Sequence, residues 1–442
     1  MRIPQRPLDL ADLLKDRDHK RLLELFELAF DDSRYLHWDE LRRRPAPEGV
    51  SHEEWWISLK LARSSAMRHI PGMKGIDGAP MSFTVPDSVL ERLHFVDGRG
   101  QGTLGVPDSL VNPQTRTRYI MNSLIEEATR SSQLEGAVTT RQAAQAMIRG
   151  GTEPKDVHQR MVLNNYRAME WVRRHRDAKF TPELVLDLHS VVAGGTLPDD
   201  NQGRIQQPGD KRVVILDRDG EVLHTPPAAE ELPERLALMC EFANGAGKGF
   251  IHPVLRAIIV HFWLAYDHPF VDGNGRTARA LFYWSMLRQG YWVTEFLSIS
   301  RILHRAPAQY ARAFLHPETD QLDLTYFILY HLTVIERAIR DLDSYLEKKT
   351  AEIQEVEALA RDAAWLNHRQ LALLSHALRH PAYRYTYKSH LGSHRITRPT
   401  AVADLSQLHE EGLLEKHRVG RQVIFLPIRD LSDRLRGLGH TS

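Results

Sequence analysis

The sequence predicts a mainly α-helical protein with one β-hairpin in its helical core and a small separate domain at its C-terminal end. The chain has 442 residues, which corresponds to about three domains at roughly 150 residues each. Apolar residues recur at intervals of three and four through residues 115–345, as in Leu255, Ile258 and Phe262, and this spacing is typical of amphipathic helices. Hydrophobic residues make up 42% and charged residues 26% of the chain, which excludes fibrous and wholly disordered proteins.

Changes of pattern along the chain divide it into four segments. Residues 1–108 combine polar helical runs with glycine- and proline-rich stretches and carry no catalytic pattern, so their role is unknown. Residues 109–345 form the predicted helical core, 346–362 a charged linker helix, and 363–442 a small C-terminal domain. We therefore expect the chemistry to lie in the second segment.

No feature of the sequence predicts a membrane or export route. The longest strongly apolar stretch, residues 257–266, is far shorter than the roughly 20 residues that span a bilayer. The N-terminal residues lack the apolar run of a signal peptide. The single cysteine, Cys240, cannot form an internal disulfide. We expect a cytoplasmic protein without membrane contact.

A short β-hairpin is predicted inside the helical core. Residues 211–216 read KRVVIL, which is rich in β-branched side chains, and residues 221–225 follow after an Asp219-Gly220 pair. An Asp-Gly pair between two such runs is a strong hairpin signal because these residues accept the positive φ angles of a tight turn. A hairpin inserted among helices indicates a role beyond packing.

One stretch of twelve residues, HPFVDGNGRTAR from His268 to Arg279, joins two predicted helices, one from Pro253 to about Asp267 and one from Thr277 to Leu287. Its glycines form a loop that leads into a helix start. Gly273 and Gly275 leave their backbone N–H groups clear of side chains, and the positive end of the helix dipole adds to them. Arg276 lies one turn before Arg279, so both guanidiniums suit phosphate oxygens. The pattern predicts a cradle for a polyphosphate.

Two further side chains of this stretch add reactivity to the cradle. Asp272 would repel phosphate unless a divalent cation lay between them, and Mg²⁺ held by one carboxylate and phosphate oxygens meets that condition. His268 contributes a group that accepts a proton near neutral pH. A base, a metal ligand and a phosphate grip are thus predicted within one segment.

These residues match the Fic motif, His-x-Phe-x-(Asp/Glu)-Gly-Asn-Gly-Arg-x-x-Arg, at every defined position, and residues 115–345 resemble the helical core of Fic proteins. The resemblance implies that the chain binds ATP and transfers its AMP to a hydroxyl group of a target protein. It implies that His268 is the general base, that Asp272 binds Mg²⁺ and that Arg279 holds the γ-phosphate. The remaining phosphate contacts fall to Gly273, Asn274, Gly275 and Arg276.

The resemblance also implies a role for the predicted hairpin. Fic proteins carry a β-hairpin flap whose exposed edge pairs with the backbone of the target segment, and such edge pairing aligns a side chain with little sequence selectivity. The flap residues expected to contact the target are Val213, Val214, Ile215 and His224.

A second pattern lies upstream of the loop. Ser131-Ser-Gln-Leu-Glu135-Gly136 matches the inhibitory motif of Fic proteins, (Ser/Thr)-x-x-x-Glu-(Gly/Asn), at the end of a helix expected over about 118–136. The resemblance implies that Glu135 pairs with Arg279 and takes the space of the γ-phosphate. A carboxylate competes with phosphate for a guanidinium because both offer it a bidentate partner. We therefore expect an autoinhibited enzyme.

The C-terminal segment is basic, with 13 Lys/Arg and 7 Asp/Glu in residues 361–442. Three predicted helices followed by a two-stranded hairpin, all within residues 367–426, resemble a winged-helix domain. The arginines that would face DNA phosphates are Arg395, Arg398, Arg418 and Arg421. The rival interpretation is a module that docks a protein or forms a homodimer, and a salt-sensitive gel shift would separate the two.

Two other functions fit the same residues. A deAMPylating hydrolase would use the same loop to remove AMP from a modified protein, with Glu135 helping water to attack. A nucleotide-sensing DNA-binding regulator would bind ATP without covalent transfer to any protein. Incubation with Mg-ATP therefore separates the transferase from the regulator.

Overall fold

The structure is a computed structural model that describes residues 3–15, 20–21, 24–25, 32–100, 113–216, 219–247, 249–362, 365–381, 383–419 and 422–439. It is mostly helical, as the sequence predicts, and its strands form two-stranded antiparallel sheets. The chain divides into two compact units, Met1–Gly102 with Asn122–Ile339 and Thr103–Met121 with Arg340–Ser442. The sequence-based boundaries at residues 108, 345 and 362 stay predictions.

The N-terminal part of the first unit combines short helices with one hairpin. Its elements are α1 (Leu10–Lys15), α2 (Trp38–Leu41), α3 (His52–Ser65), β1 (Arg68–Lys74), β2 (Pro80–Phe83) and α4 (Asp87–Gly100). β1 and β2 pair antiparallel, with Arg68 opposite Phe83. Ser82 of β2 also exchanges backbone hydrogen bonds with Leu322 (3.2 Å) and Leu324 (2.8 Å), so this part is tied to a segment far along the chain.

The rest of the first unit is helical, apart from one hairpin. Its helices are α5 (Pro113–Leu134), α6 (Arg141–Gly150), α7 (Val157–Arg174), α8 (Pro182–Ala193), α9 (Leu232–Ala243), α10 (Pro253–Asp267), α11 (Asn274–Arg288), α12 (Ile299–Arg305), α13 (Pro307–Thr319) and α14 (Thr325–Asp362), of which α5 and α14 extend into the second unit. α10 packs against α11, and the ring centroids of His261 on α10 and Phe282 on α11 lie 6.3 Å apart. Among the described residues, no helix combines the length and the apolar character needed to cross a bilayer.

The hairpin in the helical region is shorter than the sequence predicts. It consists of β3 (Ile215–Leu216) and β4 (Val222–His224), with Ile215 opposite His224. Residues 211–214 are not a strand, because Arg212 turns inward and donates to the backbone carbonyls of Asp267 (2.5 Å) and Pro227 (2.8 Å). Gly220 has the positive φ, 85°, that the predicted turn requires.

The second unit ends in a compact helical module. Its elements are α15 (His368–Arg379), α16 (Tyr387–His394), α17 (Arg398–Glu410), β5 (Leu414–Val419), β6 (Gln422–Pro427) and α18 (Leu431–Gly439). The buried core includes Leu374, Leu405 and Phe425. Tyr385 exchanges backbone hydrogen bonds with Phe425, which adds a short third strand segment to the hairpin. The three helices and the hairpin follow the predicted order, and their assignment as a winged helix stays a prediction.

Candidate active site

The candidate site is the loop between α10 and α11. His268 ends α10 by donating its backbone N–H to Leu264 (2.9 Å), and its backbone is left-handed, with φ 46°. Gly273, also left-handed at φ 86°, is the N-cap of α11. Positive φ is strained for histidine and free for glycine. Because Gly273 completes the reversal of the chain, α11 begins at Asn274, earlier than the Thr277 start that the sequence predicts.

Asn274 locks this loop from within. Its side-chain oxygen accepts from the N–H of Phe270 (2.9 Å), and its amide donates back to the carbonyl of Phe270 (2.8 Å). Phe270 is fully buried and stacks on His189, with ring centroids 3.7 Å apart. The Asn274 side chain is therefore buried inside the loop, and a role of this residue in binding phosphate stays a prediction.

His189 is a loop-fixing residue that the sequence reasoning missed. Its Nδ1 accepts from the N–H of Gly203 (3.0 Å), so Nε2 carries the proton and donates to the carbonyl of Asp272 (2.9 Å). Burial lowers the pKa of His189 to about 4, which keeps the ring neutral. It lies on α8, far from the loop in sequence, and no local pattern connects the two.

Asp272 and Arg276 form an ion pair at the start of α11. Arg276 donates from Nη2 to Asp272 Oδ2 (2.9 Å) and from Nη1 to the carbonyl of Val192 (3.3 Å). The Arg276 side chain is fully buried, whereas that of Asp272 is 52% exposed. Burial lowers the pKa of Arg276, and its Nε is buried without a hydrogen bond within the described residues. An anion in the loop would complete the partners of this guanidinium.

Arg279 is held by the end of α5. It donates from Nε to Ser131 Oγ (2.8 Å), and from Nη2 to the Ser131 carbonyl (2.9 Å) and to Glu135 Oε1 (2.7 Å). Burial opposes the charge of Arg279, but the negative charge of Glu135 and contact with Tyr310 raise its pKa above the ordinary value. Gly136 ends this segment with φ 87°. The structure thus brings Ser131, Glu135 and Arg279 together.

The Glu135 carboxylate lies against the backbone of the loop at Gly275. A Cβ atom at this position would lie 2.2 Å from Glu135 Oε1 and 3.1 Å from Arg279 Nη1. A side chain at residue 275 would therefore displace the carboxylate. The Glu135 carboxylate thus lies beside the loop backbone at which the sequence predicts an anion-binding site.

A buried carboxylate fixes α5 one layer deeper. Glu127 accepts from Tyr283 Oη (2.9 Å), from Ser298 Oγ (3.0 Å) and from both the backbone N–H (3.0 Å) and the hydroxyl of Ser300. Burial raises the pKa of Glu127. This cluster joins α5 to α11 below the Glu135–Arg279 pair, and the sequence reasoning did not identify it.

His268 points a neutral imidazole into the loop region. Its Nδ1 is 3.3 Å from the Ala265 carbonyl, which can only accept, so Nδ1 carries the proton and Nε2 has a free lone pair. Burial lowers the pKa of His268 to about 4, although the nearby Glu135 charge opposes that change. An imidazole in this tautomer can accept a proton at neutral pH.

Arg212 holds the backbone of His268 at the end of α10. Its guanidinium donates to the carbonyls of His268 (2.8 Å) and Asp267 (2.5 Å), which are left unpaired at the end of α10. The Asp267 side chain is held in turn by Arg235 (2.8 Å) and Trp263 (3.0 Å). These contacts fix the end of α10, and the sequence reasoning treated Arg212 only as part of a strand.

The predicted flap residues of the hairpin differ in their exposure. Val214 is exposed and Val213 and Ile215 are half-buried. His224 is buried, with its ring nitrogens 2.8 Å from Glu318 Oε2 and 2.7 Å from the Tyr266 carbonyl, so it anchors the hairpin, and its contact with a target stays a prediction. The exposed apolar residues that the sequence reasoning missed are Leu216 and Val222.

The C-terminal arginines are described only in part. Arg395, Arg398 and Arg418 are exposed on the second unit, and Arg421 lies outside the described residues. Arg395 ends α16 with a left-handed backbone, φ 50°. These three side chains are available to an anionic partner.

The metal prediction depends on Asp272. Among the described residues, no group of three or more His, Cys, Asp or Glu side chains could hold a metal ion by itself. Asp272 accepts from Arg276 through Oδ2 and is half-exposed, so its other oxygen can reach a cation. A single carboxylate with phosphate oxygens is a common set of Mg²⁺ ligands, and the residues present fit that arrangement.

Residues 179–286 match the model of the Fic/DOC family. The protein adenylyltransferase Fic of Drosophila virilis is 38% identical over 281 residues, which cover 64% of this chain and 42% of that protein. The protein of the same name from Drosophila grimshawi is 37% identical over 263 residues, covering 60% of this chain and 41% of that one. The aligned part of the chain thus spans less than half the length of these relatives.

A solved structure shows the same fold. The crystal structure of a Fic family protein from Desulfovibrio desulfuricans G20 superposes with a TM-score of 0.50 at 19% sequence identity, covering 76% of this chain and 94% of that one. This likeness supports the fold alone. The matched range includes the whole loop from His268 to Arg279, and the resemblance found in the sequence is confirmed. Residues 179–286 of the chain therefore match the Fic/DOC family, as the motif in the loop predicts.

Proposed function

We propose that this chain is an autoinhibited protein adenylyltransferase that transfers AMP from ATP to a Tyr, Thr or Ser hydroxyl of a target protein. The observation that carries the proposal is the convergence of a neutral His268, a half-exposed Asp272 and the guanidinium of Arg279 around one helix start. The relatives named protein adenylyltransferase support the reaction type.

In the proposed reaction, Nε2 of His268 removes the proton of the target hydroxyl. The hydroxyl oxygen attacks the α-phosphorus of ATP and forms a new P–O bond, while the bond to the β-phosphate oxygen breaks and pyrophosphate leaves. The N–H groups at the start of α11 and the Arg276 guanidinium stabilise the negative charge on the phosphates. Arg279 binds the γ-phosphate once Glu135 has moved.

Asp272 is the residue that would hold Mg²⁺, together with phosphate oxygens. The ion supplies charge neutralisation between the carboxylate and the phosphates when bound. Arg276 keeps Asp272 in place through its 2.9 Å contact, so the carboxylate is oriented before any ligand arrives.

The Glu135 carboxylate is the proposed inhibitory group. It lies 2.7 Å from Arg279 Nη2 and covers Gly275, so a γ-phosphate and this carboxylate compete for one guanidinium. The Glu135 side chain retains 30% exposure, which gives it room to swing into solvent. Ser131 also holds Arg279, through two hydrogen bonds.

The hairpin is the proposed docking edge for the target. β3 and β4 are short, and their exposed apolar residues Val214, Leu216 and Val222 lie at or beside the strands. An extended segment of the target could add to this edge by backbone hydrogen bonds. His224 would anchor the hairpin to the core during docking.

Intact mass measurement after incubation with Mg-ATP tests the proposal. The Glu135→Gly variant should gain covalent AMP, on itself or on an added protein, much faster than wild type. Glu153→Gly is a matched control because Glu153 lies in an exposed loop, and it should behave like wild type. His268→Ala in the Glu135→Gly background should abolish the gain. Tight ATP binding without covalent AMP on any protein would support the nucleotide-sensing regulator instead.

The reverse reaction is a second candidate because Glu135 lies close enough to His268 for its charge to raise the pKa of the imidazole. A carboxylate there could orient a water toward an AMP-modified side chain. AMP-modified protein made by Glu135→Gly should be incubated with wild type. Loss of the modification, dependent on Glu135 and His268, would assign the deAMPylating direction.

For the C-terminal unit, DNA contact is supported by the three exposed arginines Arg395, Arg398 and Arg418. A gel shift of the full chain should weaken with rising salt, and the triple substitution to Gln should reduce the salt slope by roughly three phosphate contacts. Absence of binding, together with a change in oligomeric state on the same substitutions, would favour a protein-docking or homodimer role.

A further inference from the structure

The first unit contains a second concave site that shares no residue with the loop between α10 and α11. It is a cavity of about 470 Å³, within the roughly 300–1,000 Å³ of small-molecule sites. Its walls are the segment before α2, part of α4, and faces of α13 and α14. Gln309, Arg312 and His316 of α13 are spaced three and four apart, so they line it from one helical face.

The cavity is positively charged. Its charged lining residues are three arginines and one glutamate, namely Arg34, Arg92, Arg312 and Glu40. The formal charge of these groups is three positive minus one negative, which leaves two positive charges. A concave site with an excess of guanidinium groups attracts anions and binds them through forked hydrogen bonds.

Two of these guanidiniums lack a partner. Within the described residues neither Arg34 nor Arg312 makes a hydrogen bond or an ion pair, and Arg312 Nε is fully buried. Arg92 differs, because it donates to the carbonyl of Ser88 (2.8 Å) and lies 3.7 Å from Glu336. A buried donor without an acceptor is unfavourable unless a ligand or water supplies one, so Arg312 Nε is open to an acceptor from outside the chain.

A stacked histidine pair forms the floor beside Arg312. The rings of His37 and His316 have centroids 4.5 Å apart at an angle of 7°. His37 is satisfied internally, because its Nδ1 accepts from Asp39 N–H (3.1 Å) and its Nε2 contacts Thr319 Oγ1 (3.2 Å). His316 Nε2 is buried without a partner within the described residues. Burial lowers the pKa of His37 to about 4 and that of His316 to about 3, so both rings are neutral and His316 Nε2 adds hydrogen-bonding capacity without charge.

We infer that this cavity binds a small phosphomonoester, with its phosphate on Arg312 and Arg34 and its organic part against the aromatic side chains Tyr330 and His316. A phosphomonoester carries about −1.5 to −2 charges at neutral pH, which matches the two guanidiniums, Arg34 and Arg312, that have no partner within the described residues. A single carboxylate would leave one guanidinium uncompensated. The inference concerns binding alone and stands whether or not the loop transfers AMP.

Calorimetric titration of the full chain tests this inference, with phenyl phosphate as the probe. Phenyl phosphate should bind one site in the wild type. Arg312→Gln should weaken its binding by at least about tenfold, the effect of losing one charge-assisted hydrogen bond. Arg167→Gln, which removes an exposed arginine on α7, should change the affinity by less than about twofold. Benzoate, with the same ring and one charge, should bind at least about tenfold more weakly than phenyl phosphate.

Further variants show which site binds the probe, and a thermal unfolding control shows whether the variants are folded. Binding that survives Arg279→Gln and is lost in Arg312→Gln belongs to the cavity, whereas the opposite pattern assigns it to the loop and overturns the inference. Arg312 has no partner to lose, so Arg312→Gln should unfold at the wild-type temperature, and phenyl phosphate should raise that temperature only in the wild type. Arg34→Gln, at an exposed residue, is a second variant that should weaken phenyl phosphate binding and unfold at the wild-type temperature. Absence of binding in the wild type, or equal binding of benzoate, also overturns the inference.

Discussion

Arg279 and Arg312 both project from helices of the first unit, yet their charges are compensated in opposite ways. Arg279 is 2% exposed and contacts Glu135 and Ser131 through three hydrogen bonds. Arg312 has its Nε buried and has no partner within the described residues. One guanidinium is bound by an anion of the chain itself, and the other is not.

The difference separates a closed site from an open one. A buried guanidinium needs an acceptor, and the chain supplies it at Arg279 from a helix that precedes the loop by more than a hundred residues. At the cavity, the same physical requirement is left to a molecule from outside. Unfolding measurements and rate measurements on matched variants can test this contrast.

The largest expected effect is on stability. Arg279→Gln should lower the free energy of unfolding by about 3 kcal/mol, because it removes three hydrogen bonds and leaves Glu135 without its buried partner. Arg312→Gln should change it by less than about 0.5 kcal/mol, because no contact is lost. Urea unfolding followed by circular dichroism measures both values under identical conditions.

Equal losses in the two variants would contradict the contrast, since Arg312 would then have an internal partner. A double variant, Arg279→Gln with Glu135→Gly, serves as the control for the charge left behind. It should recover part of the stability lost in Arg279→Gln, because no carboxylate then remains beside the loop without a cation.

The next effect concerns the space that the Glu135 carboxylate occupies. In the Glu135→Gly background, Gly275→Ala should lower the rate of AMP transfer by about tenfold or more, because the new Cβ would fill the place of the carboxylate and lie 3.1 Å from Arg279 Nη1. Gly98→Ala is the matched control, since a Cβ there meets no atom within 4 Å. Radiolabelled AMP incorporation measures the rates.

An unchanged rate in the double variant would mean that phosphate does not use the space beside Gly275. Glu135 and a γ-phosphate would then not compete for the space beside Gly275. A loss in the Gly98→Ala control would instead point to a general effect of added methyl groups on folding.

Local sequence patterns were sufficient to predict the loop and the range of α10, but not the start of α11. The range of α10, Pro253–Asp267, agrees with the prediction because a proline at the first turn and a periodic apolar face are both local signals. The predicted start of α11 was three residues too late. Gly273 reverses the chain with its left-handed backbone, and Asn274, the first helical residue, binds the Phe270 backbone with its side chain. The shorter hairpin has a similar cause, since Arg212 is bound to the end of α10 and draws its segment out of the sheet.

Long-range partners were beyond sequence reasoning. His189 supports the loop from α8, and Glu127 fixes α5 from below, but neither lies at a spacing that links it to the motif. The cavity combines Arg34, Arg92 and Arg312 from three distant segments. Such groupings depend on tertiary packing, which a single sequence without an alignment does not encode in any local period.

The smallest expected effect is a displaced pH profile. An ordinary histidine, with a pKa near 6.5, is only about one-quarter neutral at pH 6. Because burial lowers the pKa of His268 to about 4, this imidazole should remain almost wholly neutral there. The Glu135 charge raises the pKa of His268. Removing that charge should therefore lower the pKa of His268 further. The transfer rate of Glu135→Gly should therefore stay level from pH 8 to about pH 5 and fall only toward pH 4.

Rates of AMP incorporation across this range measure the profile, and circular dichroism at each pH shows whether the chain stays folded. A midpoint near 6.5 with the fold intact would mean that His268 is hydrated in the active state, and that the buried, Nδ1-protonated imidazole is not the form that accepts the proton. If Glu135→Asp has its acid limb at a higher pH than Glu135→Gly, near pH 4, the carboxylate raises the pKa of His268, because an opposite charge beside an imidazole favours protonation. The same substitution at Glu153 should leave the profile unchanged.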